Sequence, residues 1–242
     1  MMASKRNWNW KRAILLAAVS AGLGVAAGLY TLLRTPGWYA PPTVRADDRQ
    51  RVRDDLVRAE QAFTEGLRAG RPFVYHIYDD VSNRWIAMRK EIYPLVDEIA
   101  PPLLADPFLL IGDRVITIAG RYRLLGVGVV LSIDLEPTFR DGAIELRANR
   151  VRCGSLPLPK DTTGLGLGRA LRFEAGDLWP GSPEMSGNFL TGFRVGGEAW
   201  WKNGGVAYRV TGLSVRPGEI SLDIQPLGRR AGRKRNRHSA PG

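Results

Sequence analysis

The stretch Leu131–Asn149, LSIDLEPTFRDGAIELRAN, decides how this chain folds. Leu131, Ile133 and Leu135 alternate with Ser132, Asp134 and Glu136. After a turn at Asp141-Gly142, Ile144, Leu146 and Ala148 alternate with Glu145, Arg147 and Asn149. A period of two is the mark of a strand with one buried and one wet face. Two such strands joined by a short Asp-Gly turn predict an antiparallel hairpin. Asp134 or Glu136 is then expected opposite Arg147, a cross-strand pair worth under about 1 kcal/mol.

The same pattern extends in both directions. Upstream, Gly112-Asp113 separates FLLI from RVITIAG, a second hairpin. Downstream, Glu198–Lys202 and Val206–Val210 flank Asn203-Gly204-Gly205, and Leu213–Arg216 and Glu219–Ile224 flank Pro217-Gly218. Phe73–Tyr78, FVYHIY, reads as a short strand of aromatic and β-branched residues. Two helices precede the main run of strands. The first is expected from Ala46 to Ala69, with Val52, Leu56, Ala59, Phe63 and Leu67 spaced by three and four. The second runs to about Glu91, with Asp79 or Asp80 expected to cap its first turn. Asp161–Gly187 is Gly-rich and poorly periodic, with a short helix expected at Leu165–Phe173. Helices first and an antiparallel meander after them make an α+β plan.

Nearer the N-terminus, Ala13–Leu33 (AILLAAVSAGLGVAAGLYTLL) holds 21 residues without a charge. As a helix it covers about 30 Å, the thickness of a bilayer's hydrocarbon core. Lys5, Arg6, Lys11 and Arg12 precede it; Trp8 and Trp10 flank one end, Trp38 and Tyr39 the other, as interfacial aromatics do. The run is too long for a signal-peptide core, and Thr35-Pro36-Gly37 follows in place of a small-residue cleavage site. An uncleaved single-span anchor is expected, with a cytoplasmic N-terminus and the main domain outside. Ser20, Gly24 and Gly28 share one face of this helix, where a second copy can pack closely to give a homodimer. The alternative is that glycine is simply common in membrane helices. The expected organisation is a basic N-terminus (1–12), the span (13–33), a Pro-rich linker (34–45), an α+β domain (46–227) and a basic tail (228–242).

The formal charge of +11 sits almost wholly at the two ends. Four basic residues precede the span, and Arg229, Arg230, Arg233, Lys234, Arg235 and Arg237 crowd the tail. The domain between is nearly neutral, so the balance is no nucleic-acid signature. The tail suits anionic lipid or another polyanion, with a solvated solubility tail as the plain alternative. Cys153, the single cysteine, makes no intrachain disulfide and is expected to be a small buried apolar residue.

No catalytic pattern stands out. Asp134-x-Glu136 falls on the polar face of a strand, where a solvated pair is expected. His76 has no second His or Cys at ligand spacing, which argues against a metal. Gly164-Leu-Gly-Leu-Gly168 lacks the spacing of a phosphate loop. The reading is a non-enzyme without cofactor. Asn83 is expected to tie helix to strand through backbone groups. Asn83, Trp85, Trp200 and Trp201 are the candidate ligand-binding residues.

Two stretches carry a resemblance. A strand runs into Asp79-Asp80-Val81-Ser82-Asn83-Arg84-Trp85-Ile86, and a later strand ends at Glu136-Pro137, followed by Asp141-Gly142 and then by Gly154-Ser-Leu-Pro-Leu-Pro159. This resembles the YpmS-type family of single-pass, membrane-anchored bacterial envelope proteins of unknown function. The resemblance implies an extracytoplasmic domain with a curved antiparallel sheet and helices against it; by analogy of fold, similar architectures hold lipids in an apolar groove. The expected function is therefore an envelope protein that binds an apolar ligand, most simply lipid, or scaffolds envelope assembly. The alternatives are an envelope hydrolase or transferase with a concealed site, or an interaction module dimerising through its membrane helix.

Overall fold

The computed structural model describes residues 5–92, 105–124, 126–159, 185–188, 192–201, 203 and 205–229. The Gly-rich segment, apart from its last few residues, and the tail beyond Arg229 lie outside the described residues, and with them the helix expected at Leu165–Phe173. The architecture is α+β: an N-terminal apolar helix, further helices and antiparallel sheets.

Helix α1 (Lys5–Leu33) contains Arg12–Leu33, the one described segment long and apolar enough to cross a membrane. A 3-10 turn (Ala46–Asp48) leads into α2 (Arg49–Arg68). Strand β1 (Phe73–Tyr78) runs directly into α3 (Asp79–Ala87) and the short α4 (Arg89–Ile92). The remaining strands are β2 (Ala105–Ile111), β3 (Ile116–Leu124), β4 (Val127–Arg140), β5 (Ala143–Cys153), β6 (Leu156–Leu158), β7 (Met185–Asn188), β8 (Gly192–Gly196), β9 (Glu198–Trp201), β10 (Val206–Arg216) and β11 (Glu219–Arg229).

The strands form two sheets rather than one. One has the order β2-β3-β4-β5-β8-β7, with β6 pairing β5, and the other β1-β11-β10-β9. The chain passes between them at Gly197, between β8 and β9. There Val210 N–H donates to the Gly197 carbonyl (2.7 Å), and a Cβ on Gly197 would lie 2.1 Å from the Gly142 carbonyl oxygen. Only glycine permits this crossing, because the backbones touch. The two C-terminal hairpins also share one long strand, β10, which absorbs a bulge between Val210 and Gly212.

Each sheet has its own core. Leu131, Ile133 and Leu135 bury against Ile116 and Val151. On the smaller sheet α2 inserts Phe63 and Leu67 over Val206, Val210 and Ile224. Phe63 meets Tyr75, Trp201 and Tyr208 edge-on at 4.8, 4.9 and 5.3 Å. Such aromatic pairs contribute about 0.5–1.5 kcal/mol each beyond their buried area. The expected helical stripe is therefore real, with Val52, Phe63 and Leu67 as its buried members.

Helix α3 closes the open edge of β2. Asn83 is buried; its amide donates to the Leu109 carbonyl and accepts from Leu109 N–H, both at 2.7 Å. One turn earlier, Asp79 Oδ2 accepts from Ile111 N–H (3.2 Å), and Gly218 N–H donates to the Ile111 carbonyl (2.8 Å). Every outward backbone group of Leu109 and Ile111 is thus satisfied, which prevents pairing with another chain. The cap expected from Asp79 or Asp80 is not made: Tyr78 holds the cap position and no side chain bonds the first turn. Asp79 serves the neighbouring strand instead, since an edge amide is a partner that a cap on the same helix cannot also satisfy.

Helix α1 is joined firmly to the larger sheet. Ser155 N–H donates to the Thr31 carbonyl (2.9 Å), and Gly154 N–H to the Val130 carbonyl (2.7 Å). Gly154 has φ +60°, and a Cβ there would lie 2.2 Å from the Leu32 carbonyl oxygen. The segment after the helix also packs down: Pro36 and Tyr39 are buried, and Trp38, Tyr39 and Phe108 cluster over Ala119 and Val130.

Candidate functional site

A cavity of about 460 Å³ lies where the Pro41–Val44 segment crosses the domain after leaving α1. Pro41, Pro42, Val44, Met88 and Pro107 put apolar side chains on its walls, though more of its lining is polar than apolar, and Arg49, Arg89 and Arg121 bring three guanidinium groups. Glu91 and Asp106 are its carboxylates. Glu91 pairs with Arg49 (2.9 Å) and also with Arg53 (3.1 Å), and Asp106 lies 3.8 Å from Arg121. Arg89 donates to the Ile86 carbonyl at 3.2 Å. The lining carries more cationic than anionic groups, the balance that suits an anionic group flanked by apolar matter.

The fold positions these residues through a bulge. Between Ala105 and Phe108 the register of β2 on β3 shifts, and Asp106 takes φ +49°. A bulge re-aims side chains beside a site. Tyr39 Oη donates to the Asp106 carbonyl (2.6 Å), pinning the segment that follows α1 to this bulge. Burial, assisted by the Asp106 charge, pushes the Tyr39 phenol up to about 12. Tyr39 therefore stays a donor across the whole ordinary pH range.

The four candidate residues read from the sequence do not converge here or elsewhere. Asn83 spends both polar atoms on Leu109. Trp85, on α3, is half-buried, and its indole N–H finds no acceptor among the described residues. Trp200 and Trp201 sit on β9, the edge of the smaller sheet opposite β1 and α3. Trp201 packs on Phe63 and donates to Thr64 Oγ1 (2.9 Å), so it is part of the core beneath α2. On α1, Ser20 is exposed, and a Cβ on Gly24 or Gly28 would have nothing within 4 Å. Of the six basic tail residues only Arg229 is described, as the last residue of β11; Arg230, Arg233, Lys234, Arg235 and Arg237 lie outside the described residues. So does the Gly164–Gly168 loop.

Asp134 corrects one expectation. It is not solvated: it is buried, accepts from Thr117 Oγ1 (2.9 Å) and forms an ion pair with Arg152. Register places Arg150 opposite it and Arg147 opposite Glu136. Glu136 stays exposed, and Arg147 turns to Glu145 (3.6 Å). Cys153 is buried, as an apolar residue would be, and burial pushes its thiol up, away from nucleophilic use.

Sequence reading did not single out His76, Glu219 and Ser221 as a group. Register sets His76 opposite Ser221, and Nδ1 lies 2.5 Å from Glu219 Oε1 and 3.1 Å from Ser221 Oγ. Hydrogen bonds from Ser221 and His76 hold the Glu219 carboxyl below its ordinary value. The residue types are those of a hydrolytic triad, but the geometry is not. Acid and hydroxyl compete for one ring nitrogen, whereas a base must offer its second nitrogen to the nucleophile. The group also lies on an exposed sheet face outside both described cavities.

The cleft arginines were equally hidden, because Arg49, Arg89 and Arg121 are far apart in sequence. The partial signal was Pro41-Pro42 shortly after the apolar helix. Compared with family profiles, characterised proteins and solved structures, the chain matches none.

Proposed function

We propose that this chain is a non-enzymatic, single-pass envelope protein whose extracytoplasmic domain engages a lipid at the membrane surface, with the juxtamembrane cleft receiving an anionic headgroup. The observation that carries the reading is the cleft itself. Its three arginines and apolar walls lie against the segment that leaves the membrane helix, Pro41–Val44. Phosphate is bound well by guanidinium forks, and the prolines and Met88 suit the start of an acyl chain. The shared use of one His76 nitrogen favours a binding protein over a hydrolase.

The test is native mass spectrometry of the full chain extracted in mild detergent, followed by identification of co-purifying lipids. An anionic phospholipid at one per chain is the expected result, lost in the double variant Arg89→Gln, Arg121→Gln. A lipid-free wild type, or the same lipid load in the double variant, overturns the cleft as a lipid site. Scaffolding of envelope assembly then becomes the better reading.

A further inference from the structure

We propose that the tip of the β3–β4 hairpin, together with the β5–β6 turn, rests on the bilayer beside the membrane helix as a second membrane contact. The inference depends on α1 being the membrane span, and not on what the cleft binds.

The joint sets the height of this tip. Ser155 and Gly154, in the turn between β5 and β6, touch the carbonyls of Thr31 and Leu32, in the last turn of the apolar span. That turn of chain is therefore at the boundary between hydrocarbon and headgroups. Gly154 bonds Val130, and Val130 stands three residues from Val127, the first residue of β4. Three strand residues cover about 10 Å, so Val127 lies no more than about that far from this boundary, a distance comparable with the headgroup layer of some 5–8 Å on each side.

The chemistry at the tip fits a lipid surface. Val127 is 50% exposed, and Gly126 and Gly128 beside it are exposed with open space around them. Register pairs Arg123 with Gly128 and Arg121 with Val130, so both arginines lie on the sheet face that carries Trp38 and Tyr39. Both are exposed. An exposed valine between two glycines, with Arg123 on the paired strand and Arg121, which also lies 3.8 Å from Asp106, further along it, is what an anionic bilayer surface attracts. The opposite end of β4 has no such character: it ends at Arg140 and the Asp141-Gly142 turn.

The experiment places a single environment-sensitive fluorophore (NBD) on full-length chain in vesicles of phosphatidylcholine with one-fifth phosphatidylglycerol. The sites are Val127→Cys, Arg140→Cys and, within the span, Ala18→Cys; the parent chain, with Cys153 buried, is the blank. Lipids with a shallow or a deep nitroxide serve as quenchers. The expected result is loss and blue shift of emission at 127 with the shallow quencher, loss at 18 with the deep one, and neither at 140. Quenching at 18 with 127 behaving like 140 overturns the hairpin contact and leaves the anchor standing. No quenching at 18 overturns the span, and this inference with it.

Discussion

Two polar strand faces in this molecule look alike in sequence and end differently. On β4, Ser132 and Asp134 alternate with core residues; on β1 and β11, His76, Glu219 and Ser221 do the same. The first face is covered. Trp38 and Tyr39 lie over Ala119 and Val130, and Ser132 and Asp134 next to them are 1% and 8% exposed. The second face stays open to solvent, with the His76 side chain 46% exposed. The same period of two therefore yields a desolvated ion pair in one place and a screened surface cluster in the other. The difference teaches that alternation reports which residues face the core, not what becomes of the opposite face.

The comparison breaks most sharply at Asp134. Asp134→Ala leaves the Arg152 guanidinium, whose side chain is only 24% exposed, without its carboxylate. Stranding a buried charge costs about 3 kcal/mol or more. Thermal unfolding of the detergent-solubilised chain is expected to show it, and Asp134→Val with Arg152→Met together is expected to recover most of the loss. An Asp134→Ala protein as stable as the parent would mean that this face is wet after all.

A smaller effect is expected at the helix–strand tie. Asn83→Ala removes both partners of the Leu109 backbone, which is partly buried and open to water in their place, at about 1–2 kcal/mol for the two bonds together. Hydrogen exchange at Leu109 and Ile111 would accelerate ahead of the rest of the sheet. Unchanged protection there would show that α3 does not hold the β2 edge.

The least effect is expected on the open face. The Glu219 carboxyl is held low, so its contribution is present above its ordinary value of 4.5 and fades as pH falls through the lower folded value. Its side chain is 27% exposed on an open face, where solvent screens the pair, so it adds little. Glu219→Gln is expected to leave the unfolding temperature at pH 7 within error, and to remove only a slight acid-side slope. A large loss at pH 7 would place the His76 cluster in a partner interface, and the contrast between the two faces would fail.

Much of the fold was legible because local patterns carried it. The β4–β5 hairpin, the Asn203-Gly204-Gly205 and Pro217-Gly218 turns, the α2 stripe and the apolar N-terminal helix all rest on periods and turn chemistry within a few residues. Asn83 was recognised as a backbone tie, but its partner, Leu109, lies in a strand 26 residues away. The break into two sheets was not legible. It depends on the Gly197 backbone meeting the Gly142 carbonyl, a contact with no local signature.

The candidate site was less visible still. Apolar length alone marked the N-terminal segment as long and apolar enough to cross a membrane, since burying 21 uncharged residues needs a bilayer or a large core, and the α1 segment is not buried in the domain. Charge arithmetic alone assigned the basicity to the two ends. Only the tertiary structure decided which arginines meet at the cleft, that Asp134 is covered, and that Gly154 holds the sheet against the last turn of α1. The physical reason is the same in each case. Short-range periodicity follows from backbone geometry within one element, whereas desolvation and close backbone approach depend on which distant element arrives to cover a residue.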